Sequence, residues 1–163
     1  MRNFDDMVLH FLKDMYYAEQ SILKSLPDLA AAAQNEELKN AFTQHAGETK
    51  AQVERLRQVF AGLGQTAEGV TCEALVGLMQ ETDEVLAESI GAGPVQDAAL
   101  VACVQAIEHY EIARYGALAE WLNDKGHREL ASLLEQSLEE EKQADAKLNE
   151  LAKRKINKAA AKL

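Results

Sequence analysis

The sequence has few of the residues on which strands, disulfide frameworks and nucleic-acid surfaces depend. Among 163 residues, aromatic side chains make up 6%, and there are 2 prolines, 2 cysteines and 9 glycines. Such a composition favours helices over strands. Lys and Arg number 17 against 27 Asp and Glu, which gives a net charge of -10. Because phosphate binding needs clustered cations, this balance argues against a nucleic-acid partner.

Long hydrophobic runs and paired cysteines are also missing. No stretch approaches the roughly 20 apolar residues that a membrane-spanning helix needs. The first residues, Met1–Asp6, contain no apolar signal region. Cys72 and Cys103 have no Cys-x-x-Cys or Cys/His spacing, so we expect two reduced, small core residues and no zinc site. The sequence therefore predicts a cytoplasmic protein without a membrane partner.

Apolar residues, in contrast, are abundant: they make up 47% of the chain and recur at steps of three and four. This periodicity predicts one domain over residues 1–163 with helices at about 4–33, 37–61, 71–89, 94–124 and 127–155. The basic tail, residues 153–163, is predicted to be a frayed, solvated helix end, and a nucleic-acid arm is the less favoured alternative.

Three residues bear on where these helices begin and how straight they are. Thr71 is the predicted N-cap of the helix at 71–89, and Pro94 is predicted in the first turn of the next helix. Pro27 lies inside the pattern of the first helix. Because proline removes one backbone hydrogen bond, we expect this helix to bend or break near Leu26.

Each long predicted helix carries a carboxylate in the middle of its apolar stripe. Glu111 follows Ile107 and precedes Tyr115 at steps of four, so it occupies a position that periodicity reserves for the core. Buried carboxylates left ionised and alone cost several kcal/mol, so they need a cation. The matching carboxylates on the other long helices are Glu19, Glu48 and Glu141.

The spacing of these carboxylates predicts the architecture. Glu19 and Glu48 are 29 residues apart, and Glu111 and Glu141 are 30 apart, each pair across a tight turn between two helices. The chain therefore reads as two similar helical hairpins joined by a long crossover that contains a short helix. That connectivity predicts an all-α, ferritin-like four-helix bundle.

Two further residues extend the carboxylates to a predicted dinuclear metal site. Glu108 lies one helical turn before Glu111, and His45 is the neighbour of Glu48 on the helix surface. Two divalent cations bring four positive charges to such a cluster, and a nitrogen ligand favours iron, manganese or zinc over magnesium or calcium. The predicted metal ligands are Glu19, His45, Glu48, Glu108, Glu111 and Glu141.

The cluster departs from the usual pattern of dinuclear bundles, which have Glu-x-x-His on two helices. Here the second helix has His-x-x-Glu, and the last helix has no histidine but offers Glu141 with Asp145 four residues on. The number of metal ions therefore stays open. It also stays open whether Asp145 and His45 bind a metal directly or only contact a metal ligand. Glu140 replaces Glu141 if the helix phase differs by one residue.

Other polar residues near the cluster have a less direct role. His109 points about 100° away from Glu108 on the helix, so we expect it behind a ligand or on the surface. For the tyrosines we expect core packing, with a hydrogen bond to a ligand or a radical relay as the alternative. They are Tyr16, Tyr17, Tyr110 and Tyr115.

Several of these stretches together resemble the YciE/YciF-like family of ferritin-like bacterial proteins. The resemblance covers residues 4–152 and is carried by Leu12–Gln20, His45–Thr49, Thr71–Ala74, Glu108–Ala113 and Glu140–Lys142. It implies a four-helix ferritin-like domain with a dinuclear metal site. It also implies that the protein forms a homodimer and that it takes part in a stress response, with which the family is associated.

Two classes of function compete. In the first, two ferrous ions reduce dioxygen or peroxide, which makes the protein a di-iron oxidoreductase or ferroxidase of a stress response. In the second, the metal only neutralises a buried acidic cluster in a structural or partner-binding protein. Iron storage in a shell is a weaker third class, because nothing in the sequence identifies a cage-forming surface. Whether the protein is an enzyme therefore stays open at this point.

Overall fold

The computed structural model describes all 163 residues, and helices account for the whole of its regular structure. The five main helices are α1 (Phe4–Ala32), α2 (Glu36–Gly62), α3 (Glu73–Ser89), α4 (Pro94–Asp124) and α5 (Arg128–Leu151). A π-helical turn, Ala152–Ile156, and the short α6, Asn157–Ala160, follow. The all-α prediction is confirmed. The observed bounds lie close to the predicted ones everywhere except at the end of α5.

Side-chain caps and turn residues set the helix ends. The Asn3 side chain accepts a hydrogen bond from the Asp6 amide at the start of α1, at 2.8 Å. The Asn35 side chain accepts one from the Glu37 amide at the start of α2, at 2.9 Å. Each satisfies an amide that has no partner within its helix. Between α4 and α5, Gly126 has φ +82°, a backbone conformation that strongly favours glycine.

The helices pack as two hairpins. α1 pairs with α2 and α4 pairs with α5, while α2 packs on α5 and α1 on α4. The crossover runs back along α1, where the Val70 amide donates to the Lys13 carbonyl at 3.2 Å, and it leads into α3, which packs on α4. The predicted ferritin-like four-helix bundle is therefore confirmed.

All four long helices contribute to one apolar core. Leu12 of α1, Phe42 of α2, Leu118 of α4 and Leu134 of α5 are almost completely buried. Burial of a leucine or phenylalanine side chain contributes about 1.5–3 kcal/mol each. A cluster of buried polar residues lies within this apolar core. Its geometry is therefore held by the same packing that stabilises the fold.

Of the bend or break predicted near Leu26, the break does not occur, and the bend stays a prediction. α1 continues through Pro27 to Ala32. The proline ring is exposed, whereas Leu26, Leu29 and Ala30 on the inner face are buried. Packing on both sides of the proline therefore outweighs the loss of one backbone hydrogen bond.

The start of α3 differs from the prediction by two residues. Cys72, rather than Thr71, is the N-cap, and α3 begins at Glu73. The Cys72 thiol is buried and accepts from the Leu75 amide at 3.4 Å. Both cysteines are free, as expected, although Cys103 is only half-buried.

The basic tail is ordered and docked, so the predicted frayed end is wrong. The π-helical turn interrupts the register of α5 and is followed by α6, which packs against α4. Ile156 in this turn is 2% exposed. Arg154 and Lys155 pair with Glu37 in the first turn of α2, Lys155 at 3.0 Å. Burial of Ile156 and these ion pairs hold the tail on the bundle.

Candidate metal centre

Three helices bring four of the predicted ligands together inside the bundle. His45 comes from α2, Glu108 and Glu111 from α4, and Glu141 from α5. Each offers one ligand atom, and these atoms all lie within 4.8 Å of one another. His45 is 5% exposed and the three carboxylates at most 1%. The bundle therefore contains an acidic group with one imidazole that has almost no contact with water.

The other two predicted ligands adjoin this group on opposite sides. Glu19 of α1 is completely buried, accepts a hydrogen bond from the Tyr115 hydroxyl, and lies next to Glu111. Glu48 of α2 lies at the outer edge, with its side chain 25% exposed and its Oε2 3.3 Å from Nδ1 of His45. All six predicted residues are thus neighbours, and Glu48 is the one that meets solvent.

The His45 ring lies between the edge and the interior of the group. Its Nδ1 contacts Glu48, while its Nε2 lies 3.3 Å from Oε1 of Glu108 and 3.7 Å from Oε2 of Glu141. Nε2 makes no hydrogen bond in spite of these short distances. An imidazole nitrogen that faces two carboxylates in this way can share a cation with them.

Most of the buried oxygens also lack a hydrogen-bond donor. Buried polar atoms in folded proteins are nearly always paired, and an unpaired one costs about 1–3 kcal/mol. A bound cation or, without one, protons on the carboxyls would stabilise such a concentration of unpaired oxygens. Besides Nε2 of His45, the atoms are Oε2 of Glu19, Oε2 of Glu108, both carboxylate oxygens of Glu111 and Oε2 of Glu141.

Burial raises the pKa of three of these carboxyls well above the ordinary value. It is the main cause for Glu19, Glu108 and Glu111, and the neighbouring Glu141 raises the pKa of each further. Without a cation, these groups retain protons to a higher pH than exposed carboxyls do. Metal binding must therefore displace protons, and metal affinity should rise with pH.

The phase of α5 separates Glu141 from Glu140. Glu141 points inward, whereas Glu140 lies at the rim and receives two hydrogen bonds from the Arg55 guanidinium, at 2.7 and 2.6 Å. This pairing holds the pKa of Arg55 above its usual value. Glu140 is therefore engaged elsewhere, and the geometry favours Glu141 as the candidate ligand.

Asp145, whose role the sequence left open, and His109, which was expected behind a ligand or on the surface, lie outside the group of converging ligand atoms. Asp145 accepts a hydrogen bond from Gln105 at 2.8 Å and lies 3.4 Å from Nε2 of His109. The His109 side chain is 67% exposed, which places it on the surface. Neither residue belongs to the four whose ligand atoms converge.

One tyrosine reaches a candidate ligand. The Tyr115 hydroxyl donates to Oε1 of Glu19, and burial raises the pKa of Tyr115 well above its ordinary value. Tyr110 instead donates to Asp14 at 2.7 Å and contacts the Cys72 thiol at 2.9 Å. Tyr115 therefore orients Glu19, while Tyr110 links α4 to α1 and to the start of α3.

Sequence reasoning overlooked Gln52, which orients Glu141. Its side-chain amide donates to Oε1 of Glu141 and, at 3.1 Å, to Oε2 of Glu140, and Gln52 is completely buried. The available signal was its place on the apolar stripe of α2, one turn beyond Glu48. A polar residue at such a position has a buried partner, but the sequence does not say which one.

Comparisons with known proteins bear on the family and the fold of this chain. The family model described as "Domain of unknown function (DUF892)" matches residues 3–161. Protein YciF of Escherichia coli is 43% identical over 161 residues, which are 98% of this chain and 96% of that protein.

Solved structures of similar proteins have the same fold. The crystal structure of the E. coli stress protein YciF superposes with a TM-score of 0.91 at 43% identity, covering 97% of this chain and 99% of that one. YcfI of Rhodopseudomonas palustris, described as a candidate structural protein, has a TM-score of 0.87 at 49% identity, covering 91% and 94%. A Xanthomonas campestris protein with a TM-score of 0.77 at 24% identity shares the fold.

Two expectations about the setting of the protein stay predictions. They are the homodimer and the cytoplasmic location. None of the helices contains an apolar segment that could span a lipid bilayer.

Proposed function

The chain belongs to the DUF892 family, and we propose that it is a dinuclear metal carboxylate protein that holds iron and reduces dioxygen or peroxide in a stress response. The observation that carries this proposal is the group of buried carboxylate oxygens and one imidazole nitrogen that converge without hydrogen-bond donors. The relation to the E. coli stress protein YciF supports the physiological setting.

The set of ligand atoms fits two divalent ions such as Fe²⁺. Glu19, Glu48, Glu108, Glu111 and Glu141 bring five carboxylates from four helices, and His45 brings one nitrogen. Carboxylate oxygens with an imidazole suit iron, manganese and zinc. Two ions carry four positive charges, which nearly neutralise the carboxylates. The ions would thereby relieve the electrostatic cost of burying these groups.

The protein's own residues hold and shield such ions. Gln52 and Tyr115 orient Glu141 and Glu19 through hydrogen bonds, and the apolar core surrounds the inner side of the centre. Two bound ferrous ions would supply the two electrons that, with two protons, reduce one peroxide to two waters. Glu48 is partly exposed and offers the side from which a small oxidant reaches them.

Metal content measured on protein purified without a metal-affinity tag tests the proposal. We expect about two iron ions per chain after anaerobic loading, as in other dinuclear bundles, and loss of metal in Glu111→Gln. Glu120→Gln is the matched control, because Glu120 is exposed on the same helix. Protein that takes up no iron, manganese or zinc would refute the proposal.

A second function is favoured by one observation, the description of YcfI as a candidate structural protein. In that case the ions only stabilise the bundle. Peroxide added to the ferrous protein separates the two functions. Consumption of one peroxide for every two ferrous ions supports reduction if it resumes each time added ascorbate restores the ferrous state and is absent from Glu48→Ala. Metal that raises the melting temperature but consumes no peroxide supports the structural role.

A further inference from the structure

One of the buried carboxylates, Glu108, borders a cavity of about 330 Å³ between α2 and α5, here called the α2–α5 cavity. His45, Glu48 and Glu108 line its inner end, and the exposed residues Asn40 and Glu150 line its mouth. Three other large cavities contain none of the six candidate ligands. The α2–α5 cavity therefore connects the candidate metal centre with solvent.

Glu48 is the candidate ligand that is accessible from the solvent side of this cavity. Its side chain is 25% exposed, whereas Glu19, Glu108, Glu111 and Glu141 are at most 1% exposed. It also contacts His45, whose other ring nitrogen faces Glu108 and Glu141. A cation bound first by Glu48 would thus have its next ligands within a few ångströms.

The cavity is wide enough for a hydrated ion, and its charge suits a cation. At about 30 Å³ per water molecule, its volume holds on the order of ten waters. Besides His45, its ionisable lining residues are the carboxyls of Glu37, Glu48, Glu108 and Glu150 and the cations Lys147 and Arg154, and Arg154 is already paired with Glu37. Carboxylates that line a cleft raise the local concentration of cations.

Lys147 is the one cation that opposes this field close to Glu48. Its Nζ lies 4.0 Å from Oε1 of Glu48, and its side chain is 52% exposed. A divalent ion must displace or repel this ammonium in order to reach the carboxylate. The lysine stem is flexible and its head is already in water, so it can move away without disturbing the core.

We propose that divalent cations reach the buried carboxylates through the α2–α5 cavity, that Glu48 receives them, and that Lys147 slows their uptake. This inference rests on the proposed function, because it presumes that the carboxylates bind metal. It adds the route and the residue that controls it.

Stopped-flow uptake of Co²⁺ by the metal-free protein, followed by the visible absorbance of the bound ion, tests the route. Lys147→Gln should take up Co²⁺ several-fold faster than the wild type. Asn40→Trp places a large ring at the mouth and should slow uptake on the order of tenfold, since binding then requires helices to move. Both variants should reach the wild-type amount of bound metal.

Two matched variants control for charge and bulk. Lys142→Gln removes the same charge from an exposed position of α5 outside the cavity. Gln65→Trp adds the same ring at a cavity near the other end of the bundle. Both should take up Co²⁺ at the wild-type rate.

The possible failures are distinguishable. Wild-type rates in both Lys147→Gln and Asn40→Trp would overturn the route while leaving the metal site intact. A reduced final amount of Co²⁺ in Lys147→Gln would make the lysine part of the site and overturn its role in slowing uptake. A wild-type protein that binds no Co²⁺, Fe²⁺ or Zn²⁺ would overturn both the route and the proposed function.

Discussion

Replacement of Glu111 by glutamine should change how the stability of the metal-free protein depends on pH. Glu111 is completely buried, and burial together with the charges of Glu141, Glu19 and Glu108 raises its pKa well above the ordinary value. In the unfolded chain the same carboxyl has a pKa of about 4.3. Between these two values the folded protein binds one proton at Glu111 that the unfolded chain does not.

The sign and size of this pH dependence of stability follow from proton linkage. Each proton bound only in the folded state lowers the free energy of unfolding by about 1.4 kcal/mol per pH unit as the pH rises. The stability is fully present below the unfolded pKa and is lost as the pH rises through the folded pKa. Glu19 and Glu108 act in the same direction. The slope in Glu111→Gln should therefore be shallower than in the wild type by up to about 1.4 kcal/mol per pH unit.

Urea unfolding between pH 5 and 7, with a chelator present, measures these slopes. Glu120→Gln, on the exposed side of α4, should keep the wild-type slope, because its side chain meets water in both states. With saturating metal the wild-type slope should disappear, since bound ions keep the carboxylates ionised. If the metal-free wild type and Glu111→Gln have equal slopes, Glu111 holds no additional proton and the reasoning is wrong.

Two further predictions concern the packing around the candidate metal centre. Gln52→Leu should destabilise the metal-free protein by about 1–3 kcal/mol, because it leaves the buried Glu141 without its donor; urea unfolding should show no such loss for Gln58→Leu at an exposed position of α2. Leu118→Ala should cost about 2–5 kcal/mol by opening a cavity in the core, and an equal cost for Ile90→Ala, at an 81% exposed position, would contradict the assignment of the core.

Much of the fold could be predicted from the sequence because it depends on local periodicity. The stripe through Ile107, Glu111 and Tyr115 identifies the inner face of α4 whatever its neighbours are, since side chains at steps of three and four share one face. The nearly equal spacing of the carboxylates in the two halves then led to two hairpins, and the bundle confirms them.

Three local details could not be predicted in this way. Pro27 is tolerated because its ring faces solvent while its neighbours pack inward. The tail docks because the π-helical turn places Ile156 inside, and periodicity alone assumes an uninterrupted α-helix. Cys72 caps α3 because its thiol is held between the Leu75 amide and the Tyr110 hydroxyl, which is far away in sequence.

The sequence by itself indicated that each long helix carries a carboxylate on its apolar face, because a helix presents each residue at a fixed angle, but it left the choice between Glu140 and Glu141 open. Only the tertiary structure decided how they meet. Gln52 reaches Glu141 across 89 positions of the chain, and Arg55 engages Glu140 across 85. The cavity above Glu48 likewise depends on how α2 and α5 pack. Such contacts depend on how helices that are distant in the sequence are placed relative to one another. The periodicity within one helix carries no information about that placement.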